Sequence, residues 1–129
     1  YLYWLHFSEG SLMPPLLLRL IFERVKKARV PFFVKPITKA VANKVLIEYV
    51  NPNINRLLDF IEASLKGKNW FLGDQLSGAD IQMSFPLETS LARGLVNEHY
   101  TCIQSYVERI HEQPGYQAAL KKGGKYDYI

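Results

Sequence analysis

Apolar residues recur at helical spacing through most of the chain. Near its beginning, Leu2, Leu5, Leu12 and Leu16 follow steps that place them on one face of a 3.6-residue helix. A second set with the same period follows: Val41, Val45, Ile54, Leu57, Leu58, Ile61 and Leu65. Because period-two alternation is absent over any useful length, we predict an all-α domain with five helices, at roughly 1–28, 37–66, 77–93, 99–112 and 114–121.

Prolines and glycines mark the predicted ends of these helices. Pro31 and Pro36 each disfavour helix in the preceding residue, so we expect an extended link over residues 30–36. Gly67 and Gly73 lie in the turn that follows the second helix. Pro114 suits the first turn of the fifth helix, where its missing N–H costs nothing.

Prolines also lie inside the predicted helices: Pro14, Pro15, Pro52 and Pro86. A proline has no N–H, so the carbonyl four residues before it loses its helical hydrogen bond, and the ring bends the helix. These carbonyls belong to Gly10 and Ser11 in the first helix, to Glu48 in the second and to Gln82 in the third. We therefore predict that the first two helices are long and bent at their prolines.

The third helix has a well-defined predicted start. Ser77 and Asp80 form an S-x-x-D capping box, in which each side chain serves a backbone N–H of the other residue. Leu76 and Ile81 stand at the positions of a hydrophobic staple. We predict that Ser77 and Asp80 have a structural role at this cap.

Three segments carry a family resemblance. Residues 70–88 read WFLGDQLSGADIQMSFPLE, with an aromatic-Leu-Gly-Asp turn before the capping box and a proline after it. Residues 8–18 read SEGSLMPPLLL, and residues 112–123 read EQPGYQAALKKG. Together they resemble the C-terminal, all-helical domain of the cytosolic glutathione S-transferases, most closely the bacterial type. The resemblance covers nearly all of residues 1–129 as one domain, and it implies that the N-terminal thioredoxin-like domain is absent from this chain.

The resemblance implies half of a substrate site. The residues that it places at a pocket for apolar electrophiles lie around the bend of the first helix: Trp4, His6, Phe7, Gly10, Ser11 and Met13. Glu9 is placed where this helix touches glutathione, the co-substrate, across the dimer. The catalytic residue and most glutathione contacts belong to the absent domain, so we expect no catalytic residue here and no activity from this chain alone. For the tail residues Tyr126 and Tyr128 two alternatives stay open: they fold over the pocket, or they are disordered.

Other chemistry has little support in the sequence. His6, His99 and His111 lack partners at metal-ligand spacing, so no metal site is predicted. Cys102 lies among apolar residues of a helix and is interpreted as a core residue. The chain has no apolar run of about 18 residues, and no charged n-region with a cleavage site opens the given sequence. With one cysteine, no internal disulfide is possible, and we expect a cytoplasmic protein that does not enter membranes.

Positive charge is concentrated in one segment. The net charge is +4, and residues 19–44 contain eight basic residues against one acid, Glu23. One interpretation is a solvated bend between two helices, and the other is a patch that binds anions or nucleic acid. We favour the solvated bend, because no aromatic residues alternate with the cations as they do in modules that stack on bases.

The sequence leaves three functional hypotheses. The first is the electrophile-binding and dimerisation domain of an enzyme that conjugates glutathione to apolar electrophiles or reduces peroxides. The second is a non-catalytic helical module for protein interaction, and the third is a basic domain that binds nucleic acid. A homodimer is expected because the first two helices carry apolar residues beyond one internal face: Tyr1, Tyr3, Phe7, Leu17, Ile21, Phe22, Leu46, Ile47, Tyr49 and Val50.

Overall fold

Residues 1–126 are described by a computed structural model, and Tyr128 lies outside them. The first helix comprises Leu2–Phe7, a π-helical turn at Ser8–Leu12, and Met13–Lys26. The second comprises Lys35–Val45, a π-helical turn at Leu46–Val50, and Asn51–Leu65. The third, fourth and fifth helices are Gly78–Ala92, Thr101–Glu112 and Pro114–Gly123. Residues 1–126 contain no strand, only an isolated bridge, and the prediction of an all-α fold with five helices is confirmed.

The link between the first two helices differs from the prediction. It is irregular only as far as Pro31, and residues 32–34 then form a turn in which the Val34 N–H donates to the Pro31 carbonyl at 2.9 Å. The second helix begins at Lys35, so Pro36 lies in its first turn. The expectation of an extended link through Pro36 was wrong, because a first-turn proline needs no N–H and has a backbone angle already suited to a helix.

Both long helices widen immediately before their prolines. The Met13 N–H donates to the Ser8 carbonyl, five residues back, one residue before Pro14. The Asn51 N–H donates to the Leu46 carbonyl in the same way. A π-helical turn inserts one extra residue into the helix, so the helix continues even though the following prolines cannot make their own hydrogen bonds.

The third helix handles its proline differently. Pro86 leaves the Gln82 carbonyl without a helical donor. The Ser8 hydroxyl, from the π-helical turn of the first helix, donates to this carbonyl at 3.0 Å. Ser8 is fully buried, whereas Gly10 and Ser11, whose carbonyls also lack helical donors, are exposed and open to water. The partly buried Gln82 carbonyl is therefore satisfied by a side chain, and this contact joins the π-helical turn of the first helix to the middle of the third.

The core is formed by the inner faces of the first four helices. Its fully buried large side chains include Leu12, Ile54, Leu58, Ile61, Met83, Leu87, Ile103 and Tyr106. Beside them lies an aromatic cluster in which Trp4 contacts Phe7, Phe60 and Phe71 at ring-centroid distances of 5.3, 5.8 and 4.4 Å. Phe7, Leu46 and Val50, which we assigned to a second apolar face, are buried in this core. The reason is that each π-helical turn shifts the helical register.

Asp80 organises the start of the third helix. Its side chain is fully buried. One carboxylate oxygen accepts from the Phe71 N–H at 3.0 Å, and the other accepts from the N–H and the hydroxyl of Ser77 at 2.9 and 3.0 Å. The reciprocal bonds of a capping box are present here. The Tyr106 hydroxyl donates to the Asp80 carbonyl at 2.9 Å. Asp80 thus ties the preceding turn and the fourth helix to one helix end.

A second carboxylate caps the fourth helix from outside. Glu62, on the second helix, accepts from the backbone N–H groups of Cys102 and Ile103 at 2.8 and 2.9 Å. Next to it, the Tyr100 hydroxyl donates to Asp59 at 2.7 Å. An anion at a helix N-terminus satisfies N–H groups that have no partner within the helix, and it is favoured by the helix dipole.

The Ser8 contact leads to a stability prediction. Ser8→Ala should lower the free energy of unfolding by about 0.5–1.5 kcal/mol, because it removes the hydrogen bond to the partly buried Gln82 carbonyl. Chemical denaturation monitored by circular dichroism measures this change. Ser11→Ala, in the same π-helical turn but exposed, is the matched control and should change stability by less than about 0.5 kcal/mol. Equal effects of the two variants would contradict the role given to Ser8.

The cap leads to a second prediction. Asp80→Asn conserves size but replaces one acceptor oxygen with an amide that cannot accept from Ser77, so stability should fall by about 1–3 kcal/mol. Ser77→Ala should cost about 0.5–2 kcal/mol. Thermal melts followed at 222 nm measure both. Melting temperatures that match the unmodified chain in both variants would show that the cap does not contribute to stability.

Candidate functional site

The residues proposed for the electrophile pocket lie in two different environments. Trp4 and Phe7 are only 9% and 8% exposed, and their rings pack inside the aromatic cluster. His6, Gly10 and Ser11 are exposed on the surface of the first helix. The structure therefore places the two aromatic rings beneath the helix surface and the polar and small residues on it.

Glu9 is also on this exposed surface, and it has a partner in the third helix. The Gln82 amide nitrogen donates to a Glu9 carboxylate oxygen at 2.7 Å. Gln82 thus contacts the π-helical turn twice, through its carbonyl to Ser8 and through its side chain to Glu9. This pair of contacts holds the Glu9 carboxylate in a defined position beside Gly10.

Met13 lines a groove between the first and third helices. The groove contains a cavity of about 150 Å³. Its lining is mostly apolar and comes from both helices and from the segment after the third: Met13, Leu16, Leu17, Arg19, Leu20, Phe85, Thr89, Arg93 and Leu95. A concave, largely apolar surface with a few polar groups is the usual form of a small-molecule site.

A second cavity, of about 260 Å³, shares part of its lining with the first. Arg19, Leu20 and Arg93 line both cavities, and the second is completed by Glu23, Arg24 and Lys27. One end of the groove is therefore apolar and the other is strongly cationic. We call the whole feature the bend groove.

Sequence analysis missed the contribution of the third helix to this groove. Phe85 and Thr89 lie one turn apart, on either side of Pro86, and Arg93 follows the last turn. The available signal in the sequence was Pro86, because a carbonyl that loses its helical donor takes its hydrogen bond either from water or from another element. Nothing local indicates that this element is the bend of the first helix.

Sequence analysis also missed a buried carboxylate, Glu88. It is 2% exposed and accepts from the Tyr126 hydroxyl at 2.8 Å, while its other oxygen lies 2.9 Å from Nε2 of His111. Tyr116 stacks on His111 at 4.8 Å. Burial and the neighbouring Glu88 carboxylate raise the pKa of the Tyr116 hydroxyl. These contacts join the third, fourth and fifth helices and direct Tyr126 toward Glu88.

Tyr100 and Cys102, which line a cavity at the start of the fourth helix, are held in their neutral forms. Burial raises the pKa of the Cys102 thiol, and hydrogen bonding to Glu62 raises it further. Burial and the bond to Asp59 raise the pKa of Tyr100 to about 12. A thiol or phenol with a raised pKa is a poor nucleophile at neutral pH. Among the residues that the structure describes, no three His, Cys, Asp or Glu side chains are grouped so as to hold a metal ion.

No helix within residues 1–126 combines the length and the apolar character needed to cross a bilayer.

Comparisons with known proteins agree on one family. The family model for the glutathione S-transferase C-terminal domain matches residues 22–114. Glutathione S-transferase 1 of Saccharomyces cerevisiae is 35% identical over 122 residues, which cover 93% of this chain and 52% of the yeast protein. Glutathione S-transferase 3 of Schizosaccharomyces pombe is 28% identical over 119 residues, which cover 92% of this chain and 49% of that protein.

A solved structure agrees as well. A glutathione S-transferase from Actinobacillus pleuropneumoniae superposes with a TM-score of 0.67 and is 32% identical, covering 95% of this chain and 48% of that one. The chain spans about half the length of the curated relatives that it matches.

Proposed function

Because the chain belongs to the glutathione S-transferase family and matches its C-terminal domain, we propose that it supplies the electrophile-binding half of a glutathione transferase. The whole protein would conjugate glutathione to apolar electrophiles or use it to reduce peroxides, in the cytoplasm. Glutathione would be bound mainly by an N-terminal thioredoxin-like domain, which would also activate its thiol. The observation that carries this proposal is the bend groove, with apolar side chains on both walls.

In this proposal, the groove binds the electrophile and the surface of the bend meets glutathione. Met13 and Phe85 would contact the apolar portion of the electrophile from opposite walls. His6, Glu9, Gly10 and Ser11 would form the exposed edge that faces the thiol. Trp4 and Phe7 would act from beneath, as packed supports that keep the bend in place.

The chemical contribution of this chain would be positioning. A bound electrophile held beside the thiolate reacts without first losing its freedom to translate and rotate, and this loss is a large fraction of the barrier to a bimolecular step. The apolar walls would also shield part of the bound electrophile from water. Cys102 and Tyr100 have no role in this proposal, because both face the open cavity around the start of the fourth helix.

A homodimer belongs to the same proposal. Apolar side chains of the first two helices remain exposed in this single chain: Tyr1, Tyr3, Leu17, Ile21, Ile37, Val41, Ile47 and Tyr49. A contiguous exposed apolar face on long helices is typical of an interface, and a two-fold symmetric pair is the commonest homo-oligomer.

One observation favours a second candidate function, that of an interaction module. Phe32 and Phe33, in the link, are 86% and 68% exposed, and their rings meet edge to face at 5.8 Å. Exposed aromatic pairs are frequent anchors of protein interfaces. An activity measurement distinguishes the two candidate functions. A transferase domain joined to a thioredoxin-like domain supports catalysis, and an interaction module does not.

We predict that the 129-residue chain alone does not catalyse conjugation, and that joining it to the thioredoxin-like domain of a family member restores conjugation of an aryl halide. In the joined protein, Phe85→Ala should raise the KM for the aryl halide about three- to tenfold, since it removes apolar contact area, with the KM for glutathione unchanged. Steady-state kinetics with each substrate varied in turn measure this.

Phe32→Ala is the matched control and should leave both constants unchanged. Turnover by the chain alone, or equal effects of the two substitutions on the aryl halide, would contradict the proposed function.

We predict that the chain dimerises at micromolar concentration. Val41→Glu should shift sedimentation toward the monomer, because it places a charge on the exposed apolar face of the second helix. Ile81→Glu, exposed on the third helix, is the control and should not shift it. A monomer at all concentrations would rule out the pairing surface in this chain.

A further inference from the structure

We propose that the cationic end of the bend groove is an anion subsite, and that the ligand of the groove is a small amphipathic anion. Its apolar portion would be a single aromatic ring or a short alkyl chain, and its charged group would be a carboxylate or a sulfonate. As a statement about the substrate of an enzyme, this rests on the proposed function. As a statement about binding, it concerns this chain alone.

The cationic end of the groove carries uncompensated charge. It is lined by Arg19, Arg24, Lys27 and Arg93 and by a single carboxylate, Glu23. That carboxylate is already shared, with its two oxygens 3.8 Å from Arg19 and from Lys26. Among residues 1–126, Arg24, Lys27 and Arg93 form no ion pair. The cavity therefore has a positive charge that attracts an anion.

The cations that line this end differ in exposure. Arg24 and Arg93 are exposed, whereas the Nη1 atom of Arg19 is buried and has no hydrogen-bond partner. A carboxylate or sulfonate oxygen in the cavity would therefore be bound by the guanidinium groups of Arg24 and Arg93, through charge-assisted hydrogen bonds.

The two cavities of the groove share three lining residues, and the size of the apolar cavity limits the ligand. Arg19 and Arg93 line both cavities, so an acid group beside them leaves the rest of the ligand in the apolar cavity. The apolar cavity has a volume of about 150 Å³. An apolar protein cavity of about this volume is known to hold one benzene molecule. The dimensions therefore fit one ring attached to one acid group.

The subsite also changes the interpretation of the basic segment. Sequence analysis favoured a solvated bend for residues 19–44. Arg93, however, comes from the end of the third helix, and it lines the same cavity as Arg19, Arg24 and Lys27. Cations that converge on one cavity from two helices suit a single compact anionic group. An extended nucleic-acid backbone would instead need a track of such cations.

The test compares 4-phenylbutanoate with its neutral amide, 4-phenylbutanamide, as ligands of the 129-residue chain in titration calorimetry. We expect the carboxylate to bind about tenfold more tightly than the amide at low ionic strength, and this preference should shrink as salt is added. Arg24→Gln and Arg93→Gln should each weaken carboxylate binding about three- to tenfold without changing amide binding. Both side chains are exposed, so the fold should tolerate the substitutions.

Arg29→Gln is the matched control, because it removes the same charge from the same basic segment outside the groove. Equal affinities for acid and amide, no saturable binding of either, or an effect of Arg29→Gln as large as that of Arg93→Gln would overturn the proposal. Displacement of the carboxylate by a short single-stranded oligonucleotide at equal concentration would also overturn it, in favour of nucleic acid. Conjugation of a neutral aryl halide by the joined protein does not depend on these results, so either proposal can fail alone.

Discussion

The hydrogen bond from the Ser8 hydroxyl to the Gln82 carbonyl is the contact on which the bend groove depends. It exists because Pro86 removes the helical donor of Gln82, at a point where the third helix is packed against the first and the Gln82 carbonyl is partly buried. Ser8 can reach this carbonyl because it begins the π-helical turn before Pro14. The π-helical turn before the proline of the first helix therefore supplies the donor that the proline of the third helix removes. This contact fixes which residues of the two helices face one another.

The consequence is a groove with two fixed walls. Met13 follows Ser8 by five residues, and Phe85 follows Gln82 by three, so one contact sets the positions of both side chains. The start of the third helix is held independently by the buried Asp80 carboxylate, which accepts from Phe71 and Ser77. A site between elements that are fixed at two points needs little reorganisation on binding, and this improves both affinity and positioning.

Local information in the sequence was sufficient for the helices, for the cap at Ser77 and Asp80, and for the loss of hydrogen bonds at the prolines. Each of these depends on residues within one or two turns of each other. The groove was not predictable in the same way, because the partner of the Gln82 carbonyl lies 74 residues away. The burial of Trp4 and Phe7, the position of Arg93 beside Arg19, and the burial of Glu88 all depend on how whole helices pack. Of the residues that the sequence proposed for the electrophile pocket, Met13 is the one that lines the groove.

In the proposed enzyme, the electrophile lies in the bend groove, and a crystal structure can locate it. The crystal would contain the chain joined to a thioredoxin-like domain and be grown with an S-aryl glutathione conjugate. We expect the aryl ring to occupy the groove between Met13 and Phe85, with the peptide portion of the conjugate on the exposed edge near Glu9. An aryl ring bound outside the groove, with the Met13 and Phe85 side chains free of contact, would contradict this assignment.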